Sequence, residues 1–293
     1  PHKLDAPGLM YRNCCHSNMI DKPFLEIVPR KGFIAIDWKE LWNFRDLFMF
    51  LVWKDVIVRY KQTVLGVAWA VLQPLAAMMI FTLFFGRLAG ISSDGAPYWI
   101  FSYSGLIVWT FFSQSINQSS NSMVTNEGLI TKVYFPRLFI PLSPVIAGFV
   151  DFGIAFLLLV VMILVSGASL SLNLLAVPII LVVVAVTAAG AGIWLAGLNI
   201  KYRDFRYVIP FLTQLWMFGS PVVYPASLVP EKWRYLYALN PLTGVIEAFR
   251  WSVLGTDVNP WPGLFVSAIS SIIIFMTGIV YFKSTERFFA DLI

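Results

Sequence analysis

Apolar residues fall in long runs separated by short polar links. Six stretches approach the roughly 20 residues a helix needs to cross about 30 Å of hydrocarbon. They are Leu65–Phe85, Pro97–Met123, Ile140–Val165, Leu174–Leu198, Val208–Val223 and Gly263–Phe282. The second is apolar at first and polar later. The fifth is short and bounded by Pro210 and Pro221. Ahead of them, residues 37–62 follow a helical period of about 100° per residue. Lys39, Asn43, Asp46, Lys54 and Lys61 fall on one side, and Trp38, Leu41, Trp42, Phe48, Val52 and Val56 largely on the other. Arg45 and Arg59 break the pattern. The segment reads as an amphipathic helix lying in the membrane interface, as a plain anchor or as a gate.

Residues 224–258 are too polar to span and too apolar for a free loop. Pro230 and Pro241 suit first helical turns, Asn240 suits an N-cap and Gly255 a C-terminal stop. Two short helices, Glu231–Leu239 and Pro241–Leu254, follow from these signals. Glu247 and Arg250 stand at i,i+3 and can pair on one face. A hairpin re-entering the outer leaflet is expected, against protein or a water-filled cavity.

Composition sets the class. Of 293 residues, 58% are hydrophobic, 16% aromatic and only 13% charged, where a soluble domain carries about 25% charged residues. Half the usual charge cannot coat a soluble globule, so a soluble enzyme is excluded, as is a disordered or collagen-like chain. The expected architecture is an all-α polytopic membrane protein. It comprises a tail (1–36), the interface helix (37–62) and a six-span domain (63–293).

The net charge of +5 reads as topology: seventeen of the 21 basic residues lie in 1–61, 125–139, 199–207 and after Phe282. Only Arg87, Lys232, Arg234 and Arg250 fall on the other side, which orients both termini to the cytoplasm. The tail lacks the apolar core of a signal peptide, and Met19 is a candidate start. Cys14, Cys15, His2 and His16 all lie in that tail. The membrane body therefore holds no thiol or imidazole for a disulfide framework or metal centre. No G-x-x-x-x-G-K-[ST] loop occurs, so energy for uphill movement comes from elsewhere.

Three features carry candidate chemistry. Asp151 is the one acid near the middle of a span, where insertion costs about 2.5–3.5 kcal/mol. It is a proton or substrate site, or the partner of a basic group, and standing without a relay of other acids it favours the pairing. The second span ends in Ser113, Gln114, Ser115, Asn117, Gln118, Ser119, Ser120, Asn121 and Ser122. These groups bond to other helices or wall a hydrated path for a neutral, hydroxyl-rich substrate. Tyr98, Trp99, Tyr103, Trp109, Phe111 and Phe112 precede them. Single aromatics belong first to interface belts; beside a polar span they also suit sugar rings, whose C–H faces pack on aromatic rings.

Five motifs in order carry a family resemblance. They are Val58-Arg59-Tyr60-Lys61-Gln62-Thr63-Val64-Leu65-Gly66 with Trp69 and Leu72-Gln73-Pro74; Asn126-Glu127-Gly128-Leu129-Ile130-Thr131-Lys132-Val133-Tyr134-Phe135-Pro136-Arg137; Asn199-Ile200-Lys201-Tyr202-Arg203-Asp204-Phe205; Ser220-Pro221-Val222-Val223-Tyr224; and Asn240-Pro241-Leu242. From about Asp37 onward the chain resembles ABC-2 type permeases of polysaccharide export, with O-antigen exporters nearest and capsule and teichoic-acid exporters next. The resemblance implies a homodimer with two copies of a separate ATPase, which holds the ATP and Mg; the permease chain needs no cofactor and is no enzyme.

On that resemblance, residues 126–137 form a coupling helix docking on the ATPase, through Asn126, Glu127, Leu129, Lys132, Tyr134, Phe135, Pro136 and Arg137. Lys54, Arg59, Tyr60 and Lys61 would meet the pyrophosphate of a polyprenyl-linked glycan at the gate. The glycan path would run along Trp69, Tyr98, Trp99, Tyr103, Trp109, Phe112, Ser113, Asn117, Asn121, Trp216 and Tyr224. Asp151, Glu247 and Arg250 are expected as structural polar groups. The rivals are an exporter of small hydrophobic compounds, a proton-driven carrier using Asp151, and a membrane enzyme drawing on Asp94, Glu231, Glu247 or Asp257.

Overall fold

The computed structural model describes residues 38–61, 67–93, 95–167, 171–202, 204–256 and 259–286. All of them belong to one unit, Phe33–Ile293. The tail with Met19 and its cysteines and histidines, the motif residues Gln62–Gly66, and Asp94, Arg203, Asp257 and Arg287 lie outside the described residues.

Every regular element described is helical. Helices α1 (Trp38–Asn43) and α2 (Arg45–Tyr60) form the amphipathic entry, with a break at Phe44 where one continuous helix was expected. Next come α3 (Val67–Phe81), continued by a π-helical turn over Thr82–Leu88, and α4 (Tyr98–Thr125). The loop helix α5 (Glu127–Ile130) leads to α6 (Phe139–Val165). Helix α7 (Val177–Lys201) follows a 3₁₀ turn, and α8 (Phe205–Phe218) follows it. Then come α9 (Glu231–Ala238), α10 (Pro241–Leu254) and α11 (Trp261–Glu286).

Among the described residues, four helices are long and apolar enough to cross a membrane: Ala68–Leu88, Phe139–Val165, Leu172–Lys201 and Trp261–Glu286. Two of the six expected stretches are not among them, for different reasons. Helix α4 has 28 residues, but its serines, asparagines and glutamines lower its hydropathy. Helix α8 has only 14 residues, or about 21 Å at 1.5 Å per residue.

The most polar long helix is also the central one. Helix α4 packs against α3, α6, α7, α8 and α10. Ile100, Ile107, Phe112 and Ile116 are almost wholly buried in the main core, with Leu159, Val184, Leu242, Val245 and Phe249. A second core gathers Leu51, Met123, Phe135, Phe139, Ile200 and Phe282 beneath the loop that follows α4.

Helices α7 and α11 cross closely at Gly190 and Gly278. A Cβ on Gly190 would lie 2.6 Å from the Phe275 backbone, and one on Gly278 2.5 Å from the Gly190 carbonyl oxygen. Beside this crossing Thr187 and Ser271 share a 2.6 Å hydrogen bond. Small residues at a crossing, with a hydroxyl pair beside them, are the packing mode of helices in lipid.

Helix α10 begins and ends at chemically marked residues. The Asn240 side chain accepts from Leu242 N at 3.1 Å, and Gly255 closes the helix at φ 68°. That left-handed conformation suits glycine because it has no Cβ.

Candidate functional site

A polar junction holds α2 against the bundle. On α2, the face carrying Leu47, Leu51, Asp55 and Arg59 turns inward, with Leu51 fully buried, while Met49, Phe50, Trp53 and Val58 stay exposed, as does Trp42 on α1. Arg59 Nη1 forms an ion pair with Asp151 Oδ2 on α6. Its Nη2 donates to Gln118 Oε1 on α4 and, at 3.3 Å, to the Pro144 carbonyl. Tyr60 donates its hydroxyl to the other Asp151 oxygen, Oδ1. Burial first, and then the hydrogen bond to Asp151, push the Tyr60 phenol well above its ordinary range, so it stays a donor. One turn earlier, Ser143 Oγ lies 2.6 Å from Asp55 Oδ2.

Asp151 thus sits in a span with a cation and a phenol on its two oxygens. A fork-shaped guanidinium that engages a carboxylate, an amide and a carbonyl at once fixes α2 in register against α4 and α6. Lys54 Nζ donates to Asn126 Oδ1 at 2.5 Å, tying the same helix to the loop after α4. Lys61, at the end of α2, is exposed.

The polar residues of α4 divide into two sets. Ser115, Ser119, Ser120 and Ser122 are buried. Ser119 donates to the Pro141 carbonyl at 2.6 Å, and Asn199 on α7 donates to the Ser120 carbonyl at 2.9 Å. Asn199 also donates to Asn121 Oδ1 at 3.2 Å, so Ser119, Ser120 and Asn121 join helices, while Ser115 Oγ is buried without a hydrogen-bond partner among the described residues. Ser113, Gln114, Asn117, Gln118 and Asn121 fall on one arc of the helix and are half-buried. Gln114 donates to Gln73 on α3 at 3.5 Å. Asn117 donates to the Ser113 carbonyl, but its Oδ1 is buried without a hydrogen-bond partner among the described residues. A small void of about 20 Å³ adjoins this stripe, lined by Pro74, Thr110, Gln114, Asp151 and Phe152.

The aromatics expected along a path are distributed unevenly. Trp69 is exposed, and Trp99 is half-buried. Tyr103, Trp109 and Phe112 are buried inside the chain's own core. Tyr103 donates to the Ala155 carbonyl at 3.2 Å, and Phe112 meets Trp216 edge-on at 5.1 Å. Tyr98 donates to the Val223 carbonyl at 2.6 Å. Tyr224 donates to the Phe218 carbonyl at 2.9 Å and accepts from Tyr237 at 3.2 Å.

In the loop 126–137, Glu127, Lys132, Val133 and Tyr134 are exposed, and Asn126, Leu129, Pro136 and Arg137 are half-buried. Phe135 is buried in the second core. Tyr134 donates to Glu40 of α1 at 3.2 Å, and Arg137 donates to the Glu286 carbonyl at the end of α11 at 3.1 Å.

At the opposite end of the bundle, Arg250 is buried over the Phe101 ring, 3.6 Å from its centroid, and donates to the Val222 carbonyl at 2.7 Å. Glu247 and Arg250 both line one small cavity, together with Asn259 and Gly263. Glu247 also borders a neighbouring space of about 320 Å³ with Arg234, Tyr237 and Thr243. No cluster of metal-ligating side chains occurs among the described residues.

Several residues at these joints carry no signal of their own in the sequence: Asp55 and Ser143 at the α2 junction, and the glycine crossing. Each is an ordinary polar or small residue in a run of others. Only three-dimensional proximity distinguishes it.

Comparison with known proteins follows from this geometry. The sequence model of the family described as ABC-2 type transporter matches residues 46–254. An O-antigen export system permease protein, RfbA, from Myxococcus xanthus is 25% identical over 86% of this chain and 97% of its own length. A protein of the same name from Klebsiella pneumoniae is 28% identical, covering 85% and 95%. The polysialic acid transport protein KpsM of Escherichia coli is 23% identical, covering 80% and 91%.

Proposed function

The chain belongs to the ABC-2 type transporter family, and on that premise we propose that it is the channel-forming membrane subunit of an exporter of lipid-linked, O-antigen-like polysaccharide. It works in a bacterial inner membrane as a homodimer with both termini cytoplasmic. Two copies of a separate ATPase bind ATP and Mg and drive it; the chain itself is a permease and not an enzyme. Relatives named for O-antigen export and for polysialic acid transport support a glycan substrate.

The observation that carries the reading is the half-buried stripe Ser113, Gln114, Asn117, Gln118 and Asn121 along one arc of α4. Lipid cannot solvate these amides and hydroxyls. A hydroxyl-rich glycan in a hydrated path between protomers both donates to and accepts from them. This also explains why α4 makes a crossing despite its polarity. With α8 and the turn after it, the four apolar helices and α4 make six crossings. The region 224–258 re-enters the membrane from outside. Trp69 and Trp99 offer ring faces to sugars, and the buried Tyr103, Trp109 and Phe112 stiffen the wall from behind.

At the cytoplasmic end, Lys54, Arg59, Tyr60 and Lys61 meet the diphosphate head group of the lipid. The loop 126–137 docks on the ATPase through Glu127, Lys132 and Tyr134, while Phe135 anchors it to the bundle. A clean, non-redundant deletion should leave lipid-linked glycan accumulating inside the cell. Normal surface polysaccharide in that strain would refute the reading. Capsular polymer, teichoic acid or a small hydrophobic compound would require the same fold, and the accumulated species identifies which is carried.

A further inference from the structure

Arg59 cannot serve a head group in the state described, because its guanidinium is already engaged by Asp151, Gln118 and the Pro144 carbonyl. We propose that Asp151 is an internal competitor for the diphosphate site: it holds Arg59 until a diphosphate displaces it, so that substrate binding breaks one of the two links from the end of α2 to Asp151 and leaves the Tyr60 link in place. This rests on the head-group reading above and adds its regulation.

Three features suit Asp151 to such an exchange. First, its two oxygens have different partners, Arg59 on Oδ2 and Tyr60 on Oδ1. When Arg59 leaves, the phenol still bonds the carboxylate. Second, the void of about 20 Å³ beside Asp151 is lined by Thr110 and Gln114 as well. A space of that size admits one water with polar partners, enough to satisfy the vacated oxygen. Third, the pair is not sealed: the Arg59 and Asp151 side chains retain 17% and 16% exposure, and a head group can reach the cation.

The energetics fit a joint that opens. A buried ion pair stabilises little beyond what apolar packing of the same volume achieves, because both charges are desolvated. A permanent anchor for α2 would be better made of leucines. A diphosphate carries more negative charge than a carboxylate and more acceptor oxygens, so it outbids Asp151 for a forked donor. Lys54, fixed to Asn126 at the loop, lies five residues from Arg59, about 7.5 Å along α2. Release at Arg59 therefore bears on a helix that also touches the docking loop.

The test measures binding to the purified full-length chain in lipid nanodiscs, with farnesyl diphosphate and inorganic pyrophosphate as probes. Asp151→Asn should tighten farnesyl diphosphate binding about tenfold, and Arg59→Gln should abolish it in both the parent and the Asp151→Asn background. Asp151→Ser is a second neutral replacement in case the asparagine variant does not fold. If neutral variants bind no tighter while Arg59→Gln still abolishes binding, the head-group site stands and the competition is refuted. If Arg59→Gln has no effect, the head-group reading itself falls. Equal affinity for inorganic pyrophosphate overturns the lipid source and leaves a site for the bare anion.

Discussion

Replacing Gly190 with alanine adds one methyl group where the backbones of α7 and α11 come close. The new Cβ would lie 2.6 Å from both N and Cα of Phe275 and 2.9 Å from the Ile274 carbonyl carbon. Carbon atoms rest at about 3.5–4.0 Å, so α11 must retreat by about 1 Å. These are backbone atoms, and no rotamer change relieves them. The Thr187–Ser271 hydrogen bond, now 2.6 Å, lies one turn away and would stretch past bonding distance. Overpacking costs about 1–3 kcal/mol, with the upper end expected against backbone. The lost hydrogen bond adds about 0.6 kcal/mol in a membrane setting, and the helix preference for alanine over glycine returns about 1 kcal/mol. The net loss is about 2.6 kcal/mol at that upper end, or about 4 °C in Tm for a chain of this size at about 2.1 cal/mol/K per residue. The matched control is Gly153→Ala on α6, where a Cβ meets nothing within 4 Å; it should be neutral or slightly stabilising. Thermal unfolding in detergent, followed by tryptophan fluorescence and size exclusion, reads both. A Gly190→Ala protein as stable as Gly153→Ala would refute the close-crossing argument.

Two further substitutions probe other joints. Asn240 accepts from Leu242 N and Trp216 Nε1, both at 3.1 Å, and donates to the Gly219 carbonyl at 3.0 Å and Ser220 Oγ at 2.9 Å. Asn240→Ala should therefore cost about 2–3 kcal/mol, more than an ordinary cap; a loss under about 1 kcal/mol would mean that the links to α8 carry nothing. In the loop after α4, Phe135→Ala should destabilise the chain by about 3–5 kcal/mol by hollowing the second core. Tyr134→Ala with Lys132→Glu should change stability by about 0.5 kcal/mol or less yet reduce co-purification of the ATPase. Undiminished co-purification would remove the loop from the docking surface.

Long-range pairing decided what local pattern could not. Asn240, Pro241 and Gly255 delimit α10 because caps, first-turn prolines and left-handed glycines act within a few residues. The apolar run at 140–165 is legible for the same reason: hydrophobicity summed over one segment reports its environment. The two expected crossings absent from the apolar set show where that sum fails. Helix α4 is polar because its environment is other helices, and a hydropathy average presumes lipid. The sequence by itself determined an all-helical membrane chain, the helical character of the entry segment and the positions of the polar span, since each depends on spacing within one element. Only the tertiary structure decided that Arg59 reaches Asp151 across 92 positions of sequence, that Phe135 turns inward while Tyr134 stays out, and which half of the α4 polar residues is consumed by packing. Those outcomes depend on which helix faces meet, a property of the bundle that no single stretch of chain contains.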